Sequence, residues 1–297
     1  MHFVIAGSSG FLGTRLLERL IADGHTTTRL VRRPGRSGES TWDPAAGTVD
    51  ADVIEEADVV VNLAGSPTMG NPHSKKWATN LRNSRVTSTR TLAEAIAASD
   101  RKPAFLAGNA IAYYSDHGND VVTEATGSLG HNLLTEVSRV WQQAAQPAID
   151  AGARVCILRT TPVLDRRSQP LKAQTLLFKL GLGGPIGKGD QYFPVISTRD
   201  WVSAVVFLAR HDDISGPVNL CIPEPATNAE FTRALAREVK RPAFFKVPAS
   251  LVRIAASRMA PEVLGSVRAV PKVLLDAGFE FADPSIRDVL ASGLRAI

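Results

Sequence analysis

A short apolar run, Met1 to Ala6, breaks directly into Gly7-Ser8-Ser9-Gly10-Phe11-Leu12-Gly13, after which Leu12, Leu16 and Leu20 recur at helical spacing. The three glycines therefore stand at a strand-to-helix turn. In α/β folds that turn is where the pyrophosphate of a dinucleotide is held, because the first amides of the helix point at the ligand. Each glycine has its own task in such a turn. Gly7 permits the tight reversal, Gly10 lets backbone N–H groups approach the phosphates, and Gly13 lets helix and strand pack closely. Glycine spacing by itself would suit any loop; its position between a strand and a helix is what makes it specific.

The rest of the chain continues the alternation. Thr26 to Val31 is a β-rich run, and Asp58 to Gly65 reads as a buried parallel-type strand whose end, Ala64 and Gly65, is small enough for a cofactor to approach the backbone. A long helix is expected from about Asn80 to Ala98, strands at Pro103 to Gly108 and Ala153 to Arg159, and a helix near Leu133 to Ala145 that Pro147 ends or kinks. Alternation of this kind implies a doubly wound parallel sheet with helices on both faces. Beyond Gly181 the pattern changes. A glycine-rich loop runs to Gly189, Val218 to Ile222 looks like a strand returning to the sheet, and Thr227-Asn-Ala-Glu230 forms a capping box before a helix carrying Phe231 and Leu235. The expected organisation is a cofactor-binding sheet domain over residues 1–180, rejoined by 198–222, and a smaller substrate-side region over 181–297 that is largely helical after 226.

Bulk properties exclude several classes. No apolar stretch among the 297 residues reaches the roughly 18 needed to cross a membrane, and the chain opens on a core strand rather than a leader, so the expected setting is cytoplasmic. Cys156 and Cys221 lie in apolar strand-like runs and read as buried reduced thiols. Six histidines lack metal-ligand spacing, so no metal is expected. The formal charge is +5, but the basic residues are spread along the chain, which argues against nucleic acid as a partner.

The nucleotide can be narrowed further. The second strand should end near the ribose, where an acidic residue would hold the 2′-hydroxyl of NAD. Here the strand ends in Arg32-Arg33-Pro34-Gly35-Arg36, with no carboxylate in that turn. A guanidinium binds a 2′-phosphate through charge-assisted hydrogen bonds, so the reading is NADP(H), with Arg32 first and Arg33 second. The competing reading is a solvated basic turn.

Taken together, Gly7 to Gly13, Asn62-Leu-Ala-Gly65 and Leu158-Arg-Thr160 resemble the extended short-chain dehydrogenase/reductases. Asn83-Ser-Arg85 with Ser88-Thr89, Asn219 with Pro223 and Pro225, Asn228-Ala-Glu-Phe231, Arg241-Pro242 and Ala277-Gly-Phe-Glu-Phe281 are similar to an atypical epimerase-family branch with a C-terminal helical extension. This resemblance runs essentially end to end. It implies a Rossmann fold binding NADP(H), a small-molecule substrate of the nucleotide-sugar kind, and a homodimer as the family's usual assembly. It also implies that Ser9, Gly10, Phe11 and Leu12 contact pyrophosphate and that Leu63 and Ala64 line the adenosine or ribose path. Asn80 and Arg85 would face the cofactor, and Pro162 and Val163 would approach the nicotinamide. For Arg85 a solvated helix face is the alternative.

The catalytic pattern departs from that family. Short-chain reductases use Tyr-x-x-x-Lys, in which the tyrosine exchanges a proton with substrate and the lysine assists. None of the three tyrosines here has a lysine four residues on; the matching helix carries Leu134 and Ser138 instead. Asn109 stands where the family has a serine and could polarise a carbonyl by hydrogen bonding. Tyr113 is the substitute acid, or an aromatic packed under the loop. Two functions follow: an epimerase or carbonyl oxidoreductase using NADP(H), or a non-catalytic NADP(H)-binding sensor or scaffold.

Overall fold

The computed structural model describes residues 1–295. In chain order its first half comprises β1 (His2–Ala6), α1 (Phe11–Ala22), β2 (Thr26–Val31), β3 (Glu39–Thr41), α2 (Ala51–Glu55), β4 (Val59–Asn62), α3 (Lys75–Ala98), β5 (Ala104–Ala110) and β6 (Val121–Val122). There follow α4 (Leu133–Gln143), α5 (Gln146–Asp150), β7 (Val155–Thr160), β8 (Val163–Leu164), α6 (Gln169–Lys179), β9 (Ile196–Ser197), α7 (Thr198–Arg210) and β10 (Gly216–Leu220). The remainder is α8 (Asn228–Glu238), α9 (Ala249–Ala256), α10 (Ala260–Leu264), β11 (Arg268–Ala269), α11 (Lys272–Asp276) and α12 (Ile286–Arg295).

Seven strands form one sheet in the order β10-β7-β5-β4-β1-β2-β3, every neighbouring pair parallel. All seven carboxyl ends thus lie along one edge, and the order reverses at β1, the position at which such folds bind ligands. Strand alternation divides the core. Phe3, Ile5, Val59 and Val61 face Leu16 and Leu20 of α1 and Trp201 and Val205 of α7. Val4, Ala6, Val60 and Phe105 face Leu92 and Ile96 of α3 and Ala148 of α5. This is the doubly wound Rossmann fold that the alternation implies.

Several boundaries differ from those expected. Helix α3 begins five residues before Asn80, because the Ser74 side chain accepts the Trp77 amide and caps it. The returning strand is Gly216–Leu220, two residues earlier than Val218–Ile222, paired in register with Cys156–Thr160. Pro147 divides the fourth and fifth helices as its missing N–H requires, lying in the first turn of α5. The Thr227 capping box forms: Thr227 Oγ1 accepts the Glu230 amide and Glu230 accepts the Thr227 amide.

The chain after α7 shares a further core with α6: Phe231 and Leu235 of α8 pack with Val289 and Leu290 of α12 and Leu171 and Phe178 of α6. It is fastened to α7 by Asp200, whose buried carboxylate accepts the amides of Ala282 (2.9 Å) and Asp283 (2.8 Å). Ser197 caps α7 by accepting the Asp200 amide. Both cysteines are free and buried, and burial raises both thiols, Cys156 to about 11.

Candidate functional site

The turn after β1 is a cradle whose shape depends on missing side chains. Gly7 has φ +80°, and a Cβ there would lie 2.6 Å from the Leu63 carbonyl. A Cβ on Gly13 would lie 2.2 Å from the Gly7 carbonyl oxygen. Gly10 is different: the nearest atom to its Cβ position, the Gly7 oxygen, is 3.3 Å away, and the residue faces solvent beside Ser9. Phe11 and Leu12 are half-buried against the core and orient the first turn. That turn has no side-chain cap and no acidic residue, so its amides and the helix dipole are available to an anion. The cradle suits a diphosphate.

One strand over, the tip of β2 leaves Arg32 exposed, with no side-chain partner among the described residues. The basic turn does have a carboxylate nearby, which the linear sequence conceals: β3 pairs with β2 and brings Glu39 against it. Arg33 grips Glu39 with two hydrogen bonds (2.7 and 2.9 Å), and Arg29 adds an ion pair (2.9 Å). The hydrogen bonds from Arg33 pull the Glu39 carboxyl down to about 2. Arg33 is thereby committed, whereas Arg32 and Arg36 have no carboxylate partner for their guanidinium groups among the described residues.

At the end of β4, Asn62 is buried. Its Nδ2 donates to Thr89 Oγ1 (2.8 Å) and its Oδ1 accepts the Ala64 amide (3.0 Å), which locks the exit of the strand to α3. Leu63 and Ala64 are half-buried beside Gly7, and Gly65 is exposed. The two readings of Arg85 are now decided against a solvated face. It donates to the Ser66 carbonyl (3.1 Å) and Thr68 Oγ1 (2.9 Å) and lies 5.1 Å from the Trp141 ring. Burial lowers its pKa to about 10. Arg85 thus binds the loop that follows Gly65. Asn80, on the same helix, is exposed, and its carbonyl accepts from Ser66 Oγ (3.3 Å).

Over the ends of β5, β7 and β10 lies a polar row that the linear sequence gave little reason to expect. Asn109, Arg159 and Asn219 are direct register partners on adjacent strands, so their side chains leave the same face of the sheet. Arg159 is only 2% exposed. Its Nη1 donates to Tyr114 Oη (2.6 Å), its Nη2 to Gln142 Oε1 (3.1 Å), and its guanidinium carbon lies 3.7 Å from the Tyr113 ring centroid. Tyr114 Oη donates in turn to Asn219 Oδ1 (2.8 Å), and burial pushes its hydroxyl up to about 12. Glu124 completes the cluster by accepting the Asn219 amide (3.0 Å), and burial raises its carboxyl. One polar atom on each of Arg159 (Nε) and Glu124 (Oε2) is buried without a protein partner. The sequence signals for Arg159 are a charge closing an otherwise apolar strand and its place in Leu158-Arg-Thr160.

Within this row Tyr113 is half-buried, and no side-chain group bonds its hydroxyl among the described residues. Asn109 turns into the protein: its Nδ2 donates to the Ser138 carbonyl (3.1 Å) and its Oδ1 accepts the Ala110 amide (2.8 Å). Only 3% exposed, its amide is committed to tying β5 to α4 rather than reaching a substrate carbonyl, a correction to its expected role. Leu134 and Ser138 sit on α4 as anticipated, Ser138 buried. Pro162 and Val163 follow β7, where β8 pairs with β9 and the Pro162 carbonyl accepts the Ile196 amide (3.2 Å).

A Rossmann sheet with an open anion cradle at its switch point defines a nucleotide-binding protein of the short-chain dehydrogenase/reductase type. The chain belongs to the NAD dependent epimerase/dehydratase family, whose model matches residues 3–221, and residues 247–292 match a domain of unknown function, DUF1731. It is 39% identical over 289 residues to an epimerase family protein of Mycobacterium leprae, covering 97% of this chain and 94% of that one. Human epimerase family protein SDR39U1 is 31% identical over 292 residues, with 96% and 97% covered. Among solved structures, human SDR39U1 (isoform 2) with NADPH superposes with a TM-score of 0.89 at 29% identity, covering both chains fully. A nucleoside-diphosphate sugar epimerase from Corynebacterium glutamicum gives 0.80 at 31% identity, covering all of this chain and 59% of that one.

Proposed function

We propose that this protein binds NADP(H) along the carboxyl edge of the sheet and transfers hydride between it and a carbonyl or hydroxyl group of a small molecule, a nucleotide sugar being the substrate class. The observation that carries the reading is the uncapped first turn of α1 above Gly7, Gly10 and Gly13, beside an unpaired Arg32. The human relative solved with NADPH supports the choice of cofactor. When bound, the nicotinamide supplies or takes the hydride.

The chain's own residues divide the remaining work. Amides from Ser9 to Leu12 hold the diphosphate, and Arg32 holds the 2′-phosphate. Leu63, Ala64 and Gly65 line the adenosine and ribose path, with Arg85 fixing the loop beyond them and Asn80 at its border. Pro162 and Val163 bound the nicotinamide side. Tyr113 exchanges a proton with the substrate oxygen, and the buried Arg159 under its ring stabilises the negative charge that develops there. Asn109 is a positioning residue that fixes the strand exit carrying Tyr113.

A second reading, a non-catalytic NADP(H)-binding sensor or scaffold, is favoured by Leu134 and Ser138 in place of the dyad. A fluorescence titration with NADPH and NADH tests the shared part. NADPH should bind more tightly, and Arg32→Glu should erase at least about tenfold of that preference, as expected for one charge-assisted phosphate contact replaced by repulsion. Equal binding of both nucleotides by the wild type would sink the Arg32 assignment. Turnover abolished in Tyr113→Phe, with NADPH binding intact, separates enzyme from sensor.

A further inference from the structure

Residues 172–188 contain Lys172, Lys179 and Lys188 and no acidic residue; residues 239–258 contain Lys240, Arg241, Lys246, Arg253 and Arg258 and again none. These eight cations, against a chain total of +5, leave the remainder of the protein at −3. The basic charge that reads as dispersed along the sequence is therefore local in the fold. The two stretches lie against each other. Ile186 bridges to Val247 in parallel, the Gly187 amide donates to the Val247 carbonyl (2.9 Å), and the Val247 amide donates to the Pro185 carbonyl (2.9 Å). None of the eight cations has a carboxylate partner among the described residues; Arg258 bonds the carbonyls of Pro72 and His73.

The same unit leaves large apolar side chains in water. Of the sixteen exposed large hydrophobic residues among those described, eight fall here: Leu176, Leu177, Leu180 and Leu182 in one stretch, Phe244, Phe245, Leu251 and Ile254 in the other. Phe244 is 84% exposed and Ile254 72%, and helix α9 buries only Val252. Isolated exposed apolar residues are ordinary, but this concentration marks an interaction surface.

We propose that this unit docks the protein peripherally on an anionic lipid surface, with the cations at headgroup level and Phe244, Phe245, Leu180, Leu182 and Ile254 entering the acyl boundary. Interleaved basic and apolar side chains are the composition that such binding requires. Charge selects this occupant over a second copy of the chain, which would set eight cations against eight. Side-chain type selects it over nucleic acid, because six of the eight apolar groups are aliphatic and offer no ring for bases to stack on. No described helix is long and apolar enough to cross a membrane, so the contact lies in the interface plane.

The test is co-sedimentation of the whole protein with vesicles of phosphatidylcholine alone or mixed with phosphatidylglycerol. Binding should appear only on the mixed vesicles and weaken in high salt as screening shortens. A cation at such a surface contributes about fivefold in partition (about 1 kcal/mol), so the charge reversal Lys246→Glu should reduce binding by at least about tenfold. Phe244→Ser combined with Phe245→Ser should do the same with an unchanged melting temperature, since neither ring is part of the core. Equal binding to neutral vesicles, or binding indifferent to both variants, overturns the proposal. So does a single-stranded oligonucleotide, or self-association, that the same variants abolish while vesicles are ignored.

Discussion

Gly10 and Gly13 are three residues apart and answer to different demands, which makes them separable by experiment. At Gly13 any Cβ meets backbone at 2.2 Å, so Gly13→Ala should cost more than about 2 kcal/mol of stability, read by denaturant unfolding. At Gly10 a Cβ would meet only the Gly7 oxygen, at a close 3.3 Å that a small shift relieves, and the φ of −75° suits any residue. Gly10→Asp should therefore leave the fold intact, even raising the melting temperature slightly by capping α1, while NADPH binding falls at least about tenfold through repulsion. Equal losses of stability in both variants would falsify this division. Glu262 is the residue with the clearest pH signature, because burial lifts its carboxyl to about 7. A carboxyl raised in the folded state favours folding in its protonated form. The contribution is thus complete below about pH 4.5 and disappears as pH rises through 7, a difference on the order of 3 kcal/mol. Glu262→Gln should flatten that segment of the profile when melting temperature is followed from pH 5 to 8. The glycine roles were legible because they follow from backbone geometry within seven residues. Arg159 was not, because its meaning comes from strands β5 and β10 and from Tyr113, each far away in sequence.

At the scale of elements, local chemistry predicted most of what formed. Pro147 divides a helical run, and the Thr227–Glu230 box begins α8, since both act through groups within four residues. The start of α3 was placed too late because Ser74 follows Pro72 and His73, a setting without apolar periodicity to announce a helix. Its cap is nonetheless specific: Ser74→Ala should lower stability by about 1 kcal/mol, measured by urea unfolding, and Ser74→Asp should restore it. The returning strand was displaced by two residues because Val218 to Ile222 is the most apolar part of that stretch, whereas the ladder with β7 begins at Gly216. Hydrophobicity marks what is buried; hydrogen bonding marks what is paired, and the two need not share boundaries.

The molecule as a whole holds together across the join between the sheet and the chain that follows α7, and one buried carboxylate carries much of that join. Asp200→Ala would leave the amides of Ala282 and Asp283 without their acceptor, and Asp283 also anchors Arg199. The expected loss is roughly 3 kcal/mol, two buried charge-assisted bonds, with early proteolytic cleavage near residue 282 as the independent readout. Asn at 200 keeps one acceptor oxygen and should recover part of the loss. By itself the sequence determined the class of fold and the glycine turn after β1, because strand and helix periodicities and glycine sterics are properties of neighbouring residues. It also ranked Arg32 ahead of Arg33 on the absence of a carboxylate from the turn; the fold brings Glu39 there, held by Arg33 and Arg29. Only the tertiary structure decided that Asn109 is spent on α4, that Arg85 is a buried clamp, and that a lone strand arginine lies beneath Tyr113. The physical reason is common to all three: a hydrogen bond or a charge acts over a few ångströms of space, and folding alone brings residues 19, 29 or 46 positions apart within that distance.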